Sequence, residues 1–219
     1  MEQYHILRPR LRALLRPDTH AGSTGEYRVR SLYFDTASES HAFDKLAGID
    51  RRAKFRIRTY GGTEDWARLE IKHRKGYRVS KESVRLSRDE TIRLSRRQVH
   101  GDPSRSPILS QLKMALRRGA AQPAVIVDYI REPYVYGPGN VRITFDKHLA
   151  TAPWNRDLFD PDLPLLPVRG EAAMILEVKY DAFLPLSIRR IFPDSILGPM
   201  AISKYILCRP TLRPWEDGV

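Results

Sequence analysis

The stretch RAKFRIRTY, residues 52–60, alternates cationic and apolar side chains over most of its length, and this alternation predicts a β-strand with two unlike faces. Successive side chains of a strand point to opposite sides, so residues two apart share a face. One face of this strand therefore carries Lys54, Arg56 and Arg58, and the other carries Phe55 and Ile57. We expect the apolar face to meet a core and the cationic face to meet solvent or an anion.

Two neighbouring stretches repeat this pattern, WARLEIKH at 66–73 and YRVSKESVRL at 77–86. Their polar faces carry Arg68, Glu70 and Lys72 in the first and Lys81, Ser83 and Arg85 in the second. The short connections at Gly61-Gly62 and Lys75-Gly76 are typical of turns. The three strands are therefore predicted to form an antiparallel meander.

Further strands are predicted at 26–35, 123–131, 140–147 and 172–180, and helices at 3–15, 38–47, 88–97, 107–118, 183–191 and 201–208. A Pro-rich loop is expected at 152–168. The later strands repeat the polar faces, with Tyr129 and Arg131, then Arg142, Thr144 and Asp146, then Glu177 and Lys179. The pattern predicts an α+β fold, in which an antiparallel sheet carries flanking helices, and we expect one domain over residues 1–219, although the length also allows two small ones.

The charge balance indicates a polyanionic partner. Lys and Arg total 38 against 26 acids, which leaves a net charge of +12. Nucleic acid, an acidic membrane surface and phosphates all fit this excess. Like charges side by side on a sheet are destabilising unless an anion lies between them. If the sheet closes into a barrel with the cationic face inward, its interior becomes a basic tunnel suited to phosphate oxygens.

The acids on the cationic faces leave two interpretations open. Glu70 and Glu177 could be ion-pair partners of the arginines. Alternatively, Glu177 could hold a hard divalent cation, since Mg²⁺ or Mn²⁺ binds through one or two carboxylates together with substrate phosphates.

Other features argue against several classes of protein. The chain has no apolar run long enough to span a bilayer, and residues 1–16 lack the continuous apolar core of a secretory signal. Cys208, the sole cysteine, lies in an apolar context that favours packing over reactivity. A cytoplasmic location is therefore expected. A nucleic-acid binder is disfavoured, because the aromatic residues mostly alternate away from the cations.

An ordered set of motifs resembles the VTC domain, the polyphosphate polymerase domain of the triphosphate tunnel metalloenzyme (CYTH-like) superfamily. The motifs are SLYFD (31–35), KFRIRTYGG (54–62), LEIK (69–72), VDYIREPYVY (127–136), VRITFD (141–146), ILEVKY (175–180) and SKY (203–205). The resemblance implies a closed antiparallel β-barrel whose tunnel binds triphosphate. It also implies transfer of the ATP γ-phosphate to a growing polyphosphate chain with a divalent metal, Mn²⁺ or Mg²⁺.

The resemblance assigns roles residue by residue. Those expected to act on the transferring phosphate are Arg56, Arg58, Lys72, Arg131, Arg142 and Lys204. Those expected to bind the rest of the substrate are Lys54, Lys81, Arg85, Tyr129, Lys179 and Ser203, and Glu177 matches the metal-binding glutamate.

The chain also departs from the family pattern at its beginning. Met1 falls almost where the first helix starts, so we expect the barrel to lack its usual first strand and one phosphate-binding lysine. This leaves two alternatives open: a non-catalytic polyphosphate-binding or regulatory subunit, and a triphosphatase or cyclase-like enzyme of the same superfamily. A membrane-protein partner is a further expectation.

Overall fold

The computed structural model describes residues 2–36, 51–61, 65–75, 78–99, 106–168, 174–193 and 202–216. The strands are β1 (Arg16–Pro17), β2 (Tyr27–Asp35), β3 (Arg51–Tyr60), β4 (Trp66–Lys75), β5 (Arg78–Ser87), β6 (Gln122–Tyr136), β7 (Val141–Pro153), β8 (Leu166–Pro167) and β9 (Met174–Lys179). The α-helices are α1 (Glu2–Leu14), α2 (Arg88–Ser95), α3 (Pro107–Arg117), α4 (Leu186–Arg189) and α5 (Lys204–Glu216).

The nine strands form one antiparallel sheet in the order β5-β4-β3-β2-β6-β7-β8, with β1 paired to β6 and β9 paired to β7. The predicted α+β class, an antiparallel sheet with flanking helices, is confirmed. Among the described residues, no pairing joins β5 to β8, so the sheet is open where a closed barrel was expected.

The chain divides into two compact units. The first contains residues 1–28, 129–149 and 167–203, and the second contains residues 29–128, 150–166 and 204–219. The expectation of one domain over residues 1–219 stays a prediction.

The second unit is built on the meander of β3, β4 and β5. Inward side chains such as Ile57, Leu69 and Leu86 are fully buried and form a core with α2, α3 and the loop after β7. Helix α2 starts with a capping box, in which the Ser87 and Glu90 side chains bond each other's backbone amides. Helix α3 buries Ile108, Leu109, Leu112 and Leu116 on one side, as its spacing predicts.

Helix α5 also belongs to the second unit, and its Cys208 is completely buried. The thiol lies 3.8 Å from the carbonyl oxygen of Ala150, and burial raises its pKa to about 12. This confirms the interpretation of Cys208 as a packed side chain.

The first unit packs α1 against β6, β7 and β9. Leu7 and Leu11 of α1 are buried beside Ile143 and Phe145 of β7. The ring of Tyr4 meets Phe145 edge-on at 4.9 Å between centroids. Pro9 lies inside this helix, on its exposed side.

Several predicted boundaries were wrong. Strand β6 continues past the predicted end at Arg131, and its Pro133 accepts a hydrogen bond from the Asp18 amide at 3.3 Å. Proline has no backbone N–H to donate but keeps its carbonyl acceptor. It is therefore tolerated at a strand position where only the carbonyl forms a hydrogen bond. Strand β7 likewise extends to Pro153, α4 has only four residues, and α5 extends to Glu216. The predicted helix at 38–47 lies outside the described residues.

No described helix combines the length and apolar character that crossing a bilayer requires.

Candidate functional site

The strand register places the predicted cations on one face of the meander. Lys54 lies opposite Lys72, which lies opposite Lys81, and Arg58 lies opposite Arg68, which lies opposite Arg85. Residues paired in this way share a face of the sheet. We call this surface the basic face, and its members are Lys54, Arg56, Arg58, Arg68, Glu70, Lys72, Lys81, Ser83 and Arg85.

The other side of the same strands explains why the basic face forms. Phe55, Ile57, Leu69 and Ile71 are buried in the core of the second unit. Burying an aliphatic or aromatic side chain contributes roughly 1.5–3 kcal/mol, which exceeds the few tenths of a kcal/mol to about 1 kcal/mol of a cross-strand charge pair. The apolar residues therefore set the orientation of each strand, and the cations between them must share the opposite face.

Glu70 lies between two arginines of the basic face. Arg56 lies directly opposite and donates through Nε to Glu70 Oε2 at 2.7 Å, and Arg58 Nη1 lies 3.9 Å from Oε1. Burial opposes ionisation of Glu70, but the charges of Arg56 and Arg58 outweigh it and lower the carboxyl pKa. Glu70 thus fits the ion-pair interpretation.

Two residues of β2 extend the basic face beyond the predicted set. Arg58 donates through Nε to the Ser31 hydroxyl at 3.0 Å, and Arg56 donates to the Tyr33 phenol oxygen at 3.4 Å. Burial raises the pKa of a phenol, but the charges of Arg56 and Arg58 outweigh it at Tyr33, so the pKa of Tyr33 is lowered. Ser31 and Tyr33 hold both guanidinium groups in place.

The outer part of the basic face is open to solvent. Arg68, Lys72, Lys81 and Arg85 are exposed, whereas Arg58 is buried. The guanidinium of Arg85 lies 4.3 Å from the ring centroid of Trp66, a cation–π contact that orients it along the strand.

Helix α5 brings the SKY lysine to the second unit. Tyr205 donates its phenol hydrogen to Asp35 Oδ2 at 2.6 Å, and both side chains are buried. The Tyr205 ring also lies 5.7 Å from that of Tyr33. The charge of the adjacent Lys204 contributes to the lowered pKa of the Tyr33 phenol. Tyr205 thereby anchors the helix start that carries Lys204.

A second group of predicted residues lies in the first unit, around Arg131 of β6. Arg131 donates to both oxygens of the buried Asp146, at 2.7 and 2.8 Å, and lies over the ring of buried Tyr129 at 5.3 Å. Its Nη2 is also 3.7 Å from Glu177 Oε2. Two-point pairing of this kind fixes the plane of a guanidinium.

Arg142 and Lys179 lie directly opposite each other on β7 and β9. Arg142 donates to Asp18 at 2.8 Å and to the Tyr27 phenol at 3.1 Å. Lys179 Nζ lies 2.8 Å from Glu177 Oε1. Both cations are thus held by acids or phenols of the same unit.

Glu177 is the predicted metal ligand, and its surroundings show what a bound metal would meet. Its two oxygens contact Lys179 and Arg131, and Thr144 lies directly opposite with a buried hydroxyl that finds no hydrogen-bond partner among the described residues. No group of three or more potential ligands (His, Cys, Asp or Glu) occurs in the described ranges. A single half-buried carboxylate beside an unsatisfied hydroxyl suits Mg²⁺ or Mn²⁺ when phosphates and water supply the other ligands.

A buried ionic network in the first unit escaped prediction. Glu132 accepts hydrogen bonds from Tyr4, Arg8, Tyr134 and Lys147 at 2.6–2.9 Å. Burial opposes ionisation of Glu132, but these donors outweigh it and lower its pKa to about 2. The network ties α1 to β6 and β7.

The predicted site residues therefore fall into two sets. Lys54, Arg56, Arg58, Lys72, Lys81, Arg85 and Lys204 lie in the second unit, and Tyr129, Arg131, Arg142, Glu177, Lys179 and Ser203 lie in the first. The unpredicted members, Ser31, Tyr33, Asp35, Asp18 and Tyr27, are polar side chains of β2 and of the segment before it. The motif SLYFD was the one available signal for three of them.

Comparison with known proteins gives a family match along nearly the whole chain. The model of the VTC domain family matches residues 1–213. Among solved structures, a candidate adenylate cyclase from Bacillus halodurans is 13% identical with a TM-score of 0.44, over 68% of this chain and 67% of that one. The PH1819 protein of Pyrococcus horikoshii OT3 is 12% identical with a TM-score of 0.40, over 85% and 77%. No curated protein matches the sequence.

Proposed function

The chain belongs to the VTC domain family, and on that premise we propose that it is a polyphosphate polymerase domain that transfers the γ-phosphate of ATP to a growing polyphosphate chain. The observation that carries the proposal is the basic face. Its cations repeat across three adjacent strands, which suits a ligand with evenly repeated negative charge. A phosphate chain is such a ligand.

The held arginines and the exposed cations of the basic face suggest different roles in binding the substrate. Arg56 and Arg58 are held by Glu70, Tyr33 and Ser31, so their donors are fixed before substrate arrives. Fixed donors stabilise charge that develops in a transition state without a reorganisation cost. The exposed Lys72, Lys81 and Arg85 suit the less exacting task of holding the rest of the chain.

The reaction itself needs little from the protein beyond position and charge. An oxygen of the terminal phosphate attacks the γ-phosphorus, a new P–O bond forms, and the bond to the β-phosphate oxygen breaks to release ADP. The attacking oxygen is already anionic, so no dedicated base is required. Cations around the transferring group would neutralise its charge, and in-line placement would supply most of the rate. We propose these roles for Arg56, Arg58, Lys72, Arg131, Arg142 and Lys204.

Glu177 is the residue we propose to hold the metal, with Thr144 beside it. When bound, Mg²⁺ or Mn²⁺ would shield charge on the phosphate oxygens and act as a template for them. Lys54, Lys81, Arg85, Tyr129, Lys179 and Ser203 are proposed substrate contacts. We propose a cytoplasmic domain with a membrane-protein partner.

The deciding experiment is incubation with ATP and Mn²⁺ followed by a gel stained for polyphosphate. A ladder of products in the wild type, absent from an Arg56→Ala/Arg58→Ala variant, is the expected result. Binding of polyphosphate without a ladder would favour the regulatory subunit. Release of inorganic phosphate without a ladder would favour the triphosphatase.

A further inference from the structure

A cavity in the second unit lies away from the basic face. It has a volume of about 340 Å³ and is lined by Thr91, Ile92 and Ser95 of α2, by Arg96 at the C-cap of that helix, and by residues 154–159 of the loop after β7. Ligand pockets usually measure roughly 300–1,000 Å³, so the cavity can hold a small organic molecule.

The core places this cavity on the opposite side of the meander from the cations. Leu158 and Phe159 line it and also pack in the core cluster that includes Ile57 and Leu69. The side chains of Ile57 and Leu69 point away from the basic face, because successive residues of a strand point to opposite sides of the sheet. A molecule in the cavity would therefore not occupy the space of a phosphate chain on the basic face.

A buried ion pair fixes the wall of the cavity. Arg30 is 2% exposed, pairs with Asp128 at 2.7 Å, and donates to the carbonyl oxygens of Leu158 and Asp160. Burying an ion pair is costly and is a poor source of stability by itself. Here the pair holds a loop in one conformation, which reduces the ordering cost when a ligand binds.

The lining combines an aromatic surface with cationic groups. Trp154 is 37% exposed, and beside it lie the apolar side chains of Ile92 and Phe159. Arg96 and Arg156 line the cavity with exposed side chains, and no ion pair of either is found within the described ranges. Asp157, an acidic residue of the lining, already has partners. Its carboxylate forms an ion pair with Arg88 at 3.0 Å and accepts a hydrogen bond from the Phe159 amide at 2.9 Å.

From this combination we propose that the cavity is a second ligand site that takes a planar aromatic ring with an anionic tail, the class to which nucleotides belong. The ring would stack on Trp154 over the apolar floor, and the phosphates would meet Arg96 and Arg156. Aromatic stacking tolerates any base, whereas paired guanidinium groups select phosphate or carboxylate. The site does not depend on polymer synthesis.

The test is calorimetric titration with ADP, comparing the wild type with an Arg96→Ala/Arg156→Ala variant. Loss of two charged hydrogen-bonding groups should weaken ADP binding in the cavity by about tenfold or more. The matched control is Arg93→Ala, which removes an exposed arginine in the last turn of α2, three residues before Arg96, that does not line the cavity, and it should leave ADP binding unchanged. An unchanged ADP isotherm in the double variant would overturn the proposal.

Two further arms separate this site from the basic face and fix the ligand class. ADP binding at the cavity should survive Arg56→Ala/Arg58→Ala, while tripolyphosphate binding to the basic face should survive Arg96→Ala/Arg156→Ala. Trp154→Leu should weaken binding of ADP but not of inorganic diphosphate. Equal loss for both ligands, or none for either, would contradict recognition of an aromatic ring.

Discussion

The phenol of Tyr205 donates a 2.6 Å hydrogen bond to the carboxylate of Asp35, 170 residues away along the chain. The residue before Tyr205 is Lys204 and the strand that ends in Asp35 contains Tyr33, so the bond joins the SLYFD and SKY motifs. The hydrogen bond explains why SLYFD ends in an aspartate and SKY ends in a tyrosine, since these two residues bind each other.

Tyr205→Phe should lower the free energy of unfolding by about 1–3 kcal/mol, because it leaves the buried Asp35 carboxylate short of a donor. Urea unfolding followed by circular dichroism measures the change. Tyr180→Phe serves as control, since Tyr180 is 47% exposed and should shift the midpoint little. Equal midpoints for Tyr205→Phe and wild type would show that the bond contributes nothing to stability.

Arg56→Ala with Arg58→Ala should weaken tripolyphosphate binding. Each charged hydrogen bond lost is worth about 1.5–3 kcal/mol, or roughly tenfold to hundredfold in affinity. The measurement is the rise in melting temperature on adding tripolyphosphate, which reflects preferential binding to the folded state. The rise should be large in wild type and in Arg93→Ala, small in the double variant, and smaller for all at high salt. If the melting temperature of the double variant rises as much as that of the wild type, Arg56 and Arg58 of β3 do not bind tripolyphosphate.

Glu177→Gln should raise the metal concentration needed for half-maximal polymer synthesis while leaving the fold intact. The change removes the carboxylate charge and keeps the size of the side chain. Circular dichroism checks the fold, and a Mn²⁺ titration of activity checks the ligand role. Glu82→Gln, on an exposed carboxylate of β5, is the matched control and should titrate as wild type does. Full activity of Glu177→Gln at limiting Mn²⁺ would leave only the ion-pair role.

The stability of the first unit should fall in acid through Glu132. Its pKa is about 2 in the folded chain and ordinarily 4.5, so its contribution is present above pH 4.5 and is lost as pH falls towards 2. The linked free energy is at most about 3 kcal/mol. Unfolding free energies of wild type and Glu132→Gln, measured from pH 7 to pH 2, should differ most at neutral pH and converge in acid. A constant difference would exclude this titration as the cause.

The meander was predictable because its signal is local. Strands β3, β4 and β5 alternate with a period of two, so the residues that share a face follow from the sequence, and the structure adds their register. The sequence predicts β6 only as far as Arg131, whereas the structure shows that the strand continues through Pro133, whose carbonyl accepts a hydrogen bond from the Asp18 amide.

Other parts of the site depend on partners that no spacing reveals. Arg56 and Arg58 were assigned from their motif, but their contacts with Tyr33 and Ser31 require the pairing of β2 with β3. The Glu132 network joins the beginning of the chain to residues more than a hundred positions later. Such contacts are invisible to periodicity, since they are created when the strands pair.

The burial of Cys208 gives the protein a built-in reporter of helix detachment. A thiol whose pKa is about 12 and which contacts the Ala150 carbonyl reacts with alkylating reagents only when α5 leaves its place. Cys208 is the sole cysteine of the sequence, so the measured rate of alkylation reports on this position alone. The rate of alkylation, with and without a phosphate chain, would therefore measure whether and how fast the helix that carries Lys204 opens.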